Sequence, residues 1–410
     1  MTAPQARKLL FVFSDTGGGH RSTARAVLEA LKDSRGELAS VELIDGFAEY
    51  ARWPLSRVGD IYPQMLRLEG KPWSATFRLS DGPRRARILA HTWWPVMRAT
   101  AMRMVTQHPA DAIVSFHPLF NDALLRALDR EGRRVPLIAV VTDLITAHAF
   151  WYSPGTACWI VPTEEGRRRA LAHGVPLQRT VVTGLPVRSA FARAASEERC
   201  AVRRRLRVPE SLPLVLLLGG ADGVGPLEQL CRVIGHSGVE AQLAVVAGRN
   251  RVLQSHIARE CLPIPVHVAG FIDNVHEWMR AADLVVTKAG PSSISEALVV
   301  GTPLVLSCAL PGQEPSNVDY ALRAGAAVWA PSPELASAAV TRLLAGDGTQ
   351  LARMEKRARQ AGRPDAARRA AEVVWRVACG ARAPYASSQS PALAQKACAV
   401  DSLVQNTGGA

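Results

Sequence analysis

The chain has no run of about 18 uncharged apolar residues, so no membrane-spanning helix is expected. It has no C-x-x-C pair. Its seven cysteines are scattered and odd in number, which fits reduced thiols better than a disulfide framework or a zinc site. The absence of G-x-x-x-x-G-K-[ST] removes the P-loop NTPases. The absence of D-x-D means that no metal-bridged diphosphate is signalled. The opening stretch MTAPQARKLLFVFS runs into a strand-like segment without the layout of a cleavable signal, and a cytosolic protein is expected. No internal sequence repeat is visible. At 410 residues, two domains with additions are the expectation.

What the chain has in excess is positive charge, a net +13. Such an excess calls for an anionic partner: nucleic acid, acidic lipid or a phosphate-bearing substrate. Its distribution favours the lipid. Residues 50–105 hold ten Arg or Lys (Arg52, Arg57, Arg67, Lys71, Arg78, Arg84, Arg85, Arg87, Arg98, Arg103) against three acids (Asp60, Glu69, Asp81). They also hold Trp53, Trp73, Trp93 and Trp94, four of the nine tryptophans. Basic heads among interfacial aromatics suit a membrane surface; a solvated basic face over core tryptophans is the alternative. The charge falls on no nucleic-acid motif, so no nucleic-acid partner is expected.

Short β-branched runs alternate with helical patterns. Strands are expected at 8–14, 41–45, 111–116, 136–143, 158–163 and 180–184, then at 214–220, 242–248, 266–271, 283–290, 302–307 and 326–330. Ala24, Val27, Leu28 and Leu31 form one apolar face at helical spacing after the first. Continuous apolar strands between helices imply parallel sheets covered on both faces, an α/β architecture of two doubly wound, Rossmann-like domains. The first is expected over 1–198, with 50–105 as an insertion, and the second over 199–380. The Ala-, Ser-, Gln- and Gly-rich stretch 381–410 reads as a disordered tail.

In such sheets ligands bind at the carboxyl ends of strands. Gly17, Gly18 and Gly19 sit there, directly before a helix, where a tight turn would also use glycine. Gly219, Gly220, Gly223 and Gly225 follow the first strand of the second half. Gly290 and Pro291 precede a helix whose first turn holds Ser292 and Ser293, either of which would serve as a cap. Two adjacent strand ends with free amides make a diphosphate site. Glu296, one turn on, suits the helix dipole or a ribose diol. Gln313, Glu314 and Asn317 lie in a polar, proline-punctuated loop suited to a hydroxyl-rich ligand.

Six stretches in order, SDTGGGHRSTARAV, VTDLITAHAFW, VTGLPVRSAFAR, LLLGGADGVGP, GFIDNVHEWMRAADLVVTKAGPSSISEAL and GTPLVLSCALPGQEPSN, span residues 14–317. Together they resemble the monogalactosyldiacylglycerol synthase branch of family 28 glycosyltransferases, related to the murein N-acetylglucosaminyltransferase. The resemblance implies a GT-B fold, with a UDP-sugar on the second domain and the acceptor on the first. It implies an inverting transfer of galactose or glucose from the UDP-sugar to diacylglycerol, giving a β-monoglycosyldiacylglycerol. Gly220 and Gly223 would lie at the diphosphate, Phe271 and Ile272 at the uracil, Glu296 at the ribose, and Gln313, Glu314 and Asn317 at the sugar. No tightly bound cofactor and no metal is expected. The partners would be the UDP-sugar, diacylglycerol and anionic membrane lipids, and the place the cytoplasm, peripheral on the inner face of the cell membrane.

Inversion by direct displacement needs a base on the acceptor hydroxyl and stabilisation of the leaving UDP. Base candidates at strand ends are His20, His117, Asp143 and His148. His20 stands first, with Asp143 orienting or replacing it. Helix N-termini after Gly225 and Gly290 would receive the leaving charge, with Lys288 in support. The triple glycine is then the acceptor-side floor. The rival readings are a UDP-sugar transferase acting on a lipid-linked murein precursor and a UDP-sugar 2-epimerase on the same scaffold.

Overall fold

The structure is a computed structural model, and it describes residues 6–59, 77 and 79–381. Asp60, Arg67, Glu69, Lys71, Trp73 and Arg78 of the insertion lie outside these residues, as does the expected tail beyond Ala381.

All twelve expected strands form. The first sheet contains β1 (Arg7–Phe13), β2 (Ala39–Asp45), β3 (Ala112–Ser115), β4 (Leu137–Val140), β5 (Cys158–Val161) and β6 (Thr180–Val182). The second contains β7 (Leu214–Leu218), β8 (Gln242–Val246), β9 (Val266–Ala269), β10 (Leu284–Lys288), β11 (Leu304–Cys308) and β12 (Ala327–Trp329). Both are wholly parallel, in the orders β2-β1-β3-β4-β5-β6 and β12-β11-β10-β7-β8-β9. The uninterrupted apolar runs are explained by burial on both faces. Leu9 and Phe11 point into a core shared with Val27 and Leu31, whereas Leu10 and Val12 point into one shared with Met97 and Phe120. Leu214, Leu216 and Leu218 likewise face one core of the second sheet, and Val215 and Leu217 face the other.

Helices α1 (Gly19–Arg35), α2 (Pro83–Gln107), α3 (Pro118–Arg130) and α4 (Glu164–Ala172) belong to the first half. Next come α5 (Ser189–Ser196), α6 (Arg199–Leu206), α7 (Leu227–Gly235), α8 (Arg251–Arg259), α9 (Val275–Ala281) and α10 (Pro291–Val300). The chain ends in α11 (Pro315–Arg323), α12 (Pro333–Leu344), α13 (Thr349–Ala361) and α14 (Ala366–Ala378).

The junction between the halves is built structure. Leu185, Val187, Phe191 and Val202 are buried in a core of the second sheet. Arg203 of α6 is 6% exposed, and its guanidinium is held by the Asp283 carboxylate and the Ala281 carbonyl, which offset its desolvation. At the other end α14 crosses back. Ala370, Ala371, Val374 and Val377 pack with Leu9, Phe11, Val114 and Ile138 of the first sheet. The two bodies therefore each hold a piece of chain from beyond the boundary expected near residue 198.

The strand order reverses between β1 and β3 in the first sheet and between β10 and β7 in the second. These switch points open crevices at the carboxyl ends of the strands. The two crevices face each other.

Candidate active site

A cleft of about 500 Å³ lies between the carboxyl ends of the two sheets, lined from both halves. From the first half come the β1–α1 turn and the residues after β4. The second half supplies the loops after β7, β10 and β11 and the start of α10.

The three glycines do different things. Gly17 and Gly18 adopt φ of 74° and 77°, the left-handed region that glycine enters without cost. A Cβ on Gly18 would stand 2.5 Å from the Cβ of Ala221, and one on Gly19 would stand 3.0 Å from Ser292 Oγ. At the triple glycine the first half lies close against Ala221 and Ser292 of the second. Arg249 clasps the same place, with ion pairs of 2.7 Å to Asp15 in the first half and 2.7 Å to Asp222 in the second.

His20 follows at once, in the first turn of α1. The Thr142 hydroxyl lies 3.0 Å from its Nδ1, and the Phe116 carbonyl accepts from the ring. Burial lowers its pKa below the usual 6.5, and the nearby Asp143 carboxylate partly opposes that. Asp143 is buried, which raises its pKa, but each of its oxygens has a donor. Trp151 Nε1 donates at 2.9 Å to Oδ2, and Gln313 Nε2 donates at 2.6 Å to Oδ1 from across the cleft. His20 and Asp143 thus share one wall.

The other two expected bases stand elsewhere. His117 lies behind His20, ring against ring at 4.8 Å, enclosed by Phe47 and Phe120. Burial, with His20 beside it, keeps it well below the usual pKa, and it does not line the cleft. His148 is turned away too. Its Nδ1 accepts the Phe150 amide at 3.1 Å, so the ring proton sits on Nε2, which donates to Ser80 Oγ at 2.9 Å. Burial brings its pKa down to about 4. With both nitrogens engaged and the ring outside the cleft, the expectation of His148 as a catalytic group is withdrawn.

The donor-side residues also divide. Gly220, Phe271, Ile272, Lys288, Gly290, Pro291, Ser292, Ser293, Glu296, Gln313 and Glu314 line the cleft. At the start of α10, after Pro291, the Ser292 and Ser293 amides have no intrahelical acceptor, an arrangement suited to an anion. Gly223 does not line it. A Cβ there would stand 2.3 Å from the Ala247 carbonyl, so this glycine serves loop packing. Asn317 is buried and donates to the Ala289 carbonyl at 3.0 Å. Glu314 spends one oxygen on Lys288 Nζ at 2.6 Å and the other on the Leu310 amide at 2.8 Å. Both carboxylate oxygens of Glu314 and the amide nitrogen of Asn317 thus hold the loop after β11 in place; Glu314 lines the cleft and Asn317 stands behind it. Glu296 bonds Ser22 across the cleft; burial raises its pKa to about 7, against the pull of Arg188.

Arg188, Arg249, Thr142, Ser22 and Asp15 were missed from the sequence. Arg188 donates to the Asp273 carbonyl at 2.8 Å on the cleft wall and makes no ion pair among the described residues. Its signal was present, since it stands in the VTGLPVRSAFAR stretch after a strand. Arg249 follows the carboxyl end of β8 in the same way. Among the described residues no group of three or more His, Cys, Asp or Glu is placed to hold a metal.

Two parallel six-stranded sheets that open a cleft between facing crevices, with amide-rich loops on one side, define the GT-B fold. Residues 20–187 match the family described as monogalactosyldiacylglycerol (MGDG) synthase, and residues 214–369 match the glycosyltransferase family 28 C-terminal domain. Monogalactosyldiacylglycerol synthase 3, chloroplastic, of Arabidopsis thaliana is 34% identical over 378 residues, 89% of this chain and 80% of that protein. The chloroplastic monogalactosyldiacylglycerol synthase of Spinacia oleracea is 33% identical over 371 residues, 88% and 70% of the two chains. The chain belongs to the monogalactosyldiacylglycerol synthase family.

Solved structures share the fold alone. A putative UDP-N-acetylglucosamine 2-epimerase from Listeria monocytogenes has a TM-score of 0.60 at 14% identity, covering 92% of this chain and 98% of its own. MurG of Acinetobacter baumannii has 0.57 at 17%, covering 90% and 99%. The murein and epimerase readings therefore survive only as relatives in fold. The expected cytoplasmic place on the inner face of a cell membrane is overturned by the curated relatives, which are named chloroplastic.

Proposed function

We propose that the protein transfers galactose from UDP-galactose to the free hydroxyl of diacylglycerol with inversion, giving β-monogalactosyldiacylglycerol. Membership of the synthase family supports the substrates. The observation that carries the mechanism is that His20 and Asp143 share one cleft wall opposite the N-terminus of α10. The acceptor oxygen attacks C1 of the galactose while the bond from C1 to the diphosphate oxygen breaks and its electron pair leaves with UDP. The hydroxyl proton goes to His20, with the Thr142 hydroxyl 3.0 Å from Nδ1 available to pass it. Asp143 then faces the imidazolium. In this reading the leaving diphosphate meets the α10 amides, the Gly220 loop and Arg188, a cleft arginine with no ion pair among the described residues. Phe271 and Ile272 flank the uracil, Glu296 the ribose and Gln313 the sugar. The first half, with α14 packed on it, takes the lipid, and the second half takes the nucleotide.

Incubating the protein with diacylglycerol vesicles and either UDP-galactose or UDP-glucose tests this. Galactolipid is expected from the first. Glucolipid formed as fast from the second would overturn the donor, and sugar converted without lipid would favour an epimerase.

The insertion supports docking on anionic lipid. Ile88, Leu89, Trp93 and Val96 of α2 are exposed along with its Arg84, Arg87 and Arg98, and Trp53 of the same insertion is 82% exposed. No helix among the described residues is long and apolar enough to span a bilayer; exposed apolar and basic side chains on one segment suit contact with a bilayer surface. Each basic residue near an anionic surface contributes about 1 kcal/mol. Replacing Arg84, Arg87 and Arg98 by glutamate is expected to weaken sedimentation with anionic vesicles by on the order of 100-fold or more. Wild-type binding should fall with salt and be weak on neutral vesicles. Unchanged binding by the triple variant would remove the docking role.

A further inference from the structure

The stretch that returns from the lipid-facing insertion is fastened to the loop that holds Asp143. Leu79 in this stretch is 72% exposed next to the basic face of α2. Its neighbours point inward. The Phe77 ring packs edge-on to His148 at 4.9 Å, and Ser80 Oγ receives the His148 Nε2 proton. Asp81 Oδ1 accepts the Ala149 amide at 3.0 Å, and its Oδ2 pairs with Arg169 at 2.6 Å. Arg169 in turn donates from Nε to the Ala147 carbonyl at 2.6 Å. One carboxylate and one guanidinium thus close a ring around residues 147–149.

Two positions further on stands Trp151. Its side chain is fully buried, its carbonyl accepts from Asn121 Nδ2 and Trp159 Nε1, and its indole N–H donates to Asp143 Oδ2 at 2.9 Å. The short turn 149–151 therefore joins the two anchorages rigidly.

We propose that Asp81 is a positioning residue. It sets Asp143 through the 149–151 turn and Trp151, and by the same link it ties the lipid-facing segment around Leu79 to the catalytic wall. His148 is part of this fastening. The inference rests on the proposed role of Asp143 beside His20.

The pair Asp81→Ala and Asp81→Asn tests it with diacylglycerol vesicles and UDP-galactose. The alanine variant removes both bonds of the carboxylate. The asparagine variant keeps an acceptor for Ala149 and loses the charge opposite Arg169. A misplacement on the order of 1 Å costs roughly 100-fold in rate, so kcat should fall by about that much for Asp81→Ala and less for Asp81→Asn. KM for UDP-galactose, UDP binding and vesicle sedimentation should be unchanged. The acid limb of the pH–rate profile should move to lower pH in both, because a displaced Asp143 no longer raises the affinity of His20 for a proton. A merely structural defect would leave that limb where it is. An unmoved limb, or a kcat within about twofold of wild type for Asp81→Ala, overturns the proposal. Asp143→Asn, assayed alongside, separates the two levels. If it transfers at the wild-type rate, the role given to Asp143 has failed; if it is slow while Asp81→Ala is fast, only the positioning inference has.

Discussion

Replacing His20 with alanine should lower kcat for galactolipid formation by about 10² to 10⁴, the usual range for removing a general base. Affinity for UDP should stay within about twofold, because the proposed UDP contacts come from the second half and His20 from the first. The pH dependence gives the sign. Only the neutral imidazole accepts a proton, and burial lowers its pKa from the usual 6.5 in the folded protein. The competent form is present above that lowered value and is lost as the pH falls through it. Wild-type transfer should therefore hold up in mildly acidic solution where a free imidazole would already be protonated, and fail only further down. The variant should lose this acid limb. Initial rates from about pH 5 to about pH 8, with UDP binding by calorimetry, check both parts. A variant that keeps both its rate and its acid limb would take His20 out of the mechanism.

Gly18→Ala should have the second-largest effect. The new Cβ would stand 2.5 Å from the Cβ of Ala221, well inside contact distance, and at φ 77° the backbone is one that alanine adopts at a cost of about 1–2 kcal/mol. Relieving the clash moves the β1–α1 turn away from the loop of Ala221. A separation on the order of 1 Å between the acceptor wall and the donor loops costs roughly 100-fold in kcat. UDP binding should survive, since its proposed contacts stay together on one half. Gly348→Ala is the control. Its φ of 78° and ψ of −11° nearly repeat the 77° and −18° of Gly18, but nothing lies within 4 Å of the added Cβ. It should lose similar stability in thermal melts and keep its rate. Equal rate losses in the two variants would mean that backbone strain, and not the approach of the halves, is responsible.

Much of this was legible in the chain. Apolar runs such as LVLLL and QLAVV have no solvent face, so they could only be central strands, and all twelve appear. Ala24, Val27 and Leu31 mark the buried face of α1 directly. His20 and Asp143 were found because a side chain at the carboxyl end of a central strand of a doubly wound sheet has few places to go but the crevice. His148 misled because its surroundings are not local. Ser80 and Phe77, which claim its ring, are 68 and 71 residues away, in the middle of the insertion. Glu314 and Asn317 show a different gap. Polar residues in a proline-rich loop look free in sequence, yet here they also bond Lys288, the Leu310 amide and the Ala289 carbonyl.

The sequence alone determined the two parallel sheets, the glycine turns and the class of ligand, because burial on both faces and φ above zero are demands written residue by residue. Which sheet the apolar face of α14 covers, which glycine yields to a loop and which to the opposing half, and which imidazole faces the cleft were decided only by tertiary structure. Each depends on what distant backbone comes to lie opposite, and hydrophobic period carries no address. Gly18 shows the difference. Its backbone angle follows from a local turn, but its lack of a Cβ is needed because of Ala221, some two hundred residues further along the chain.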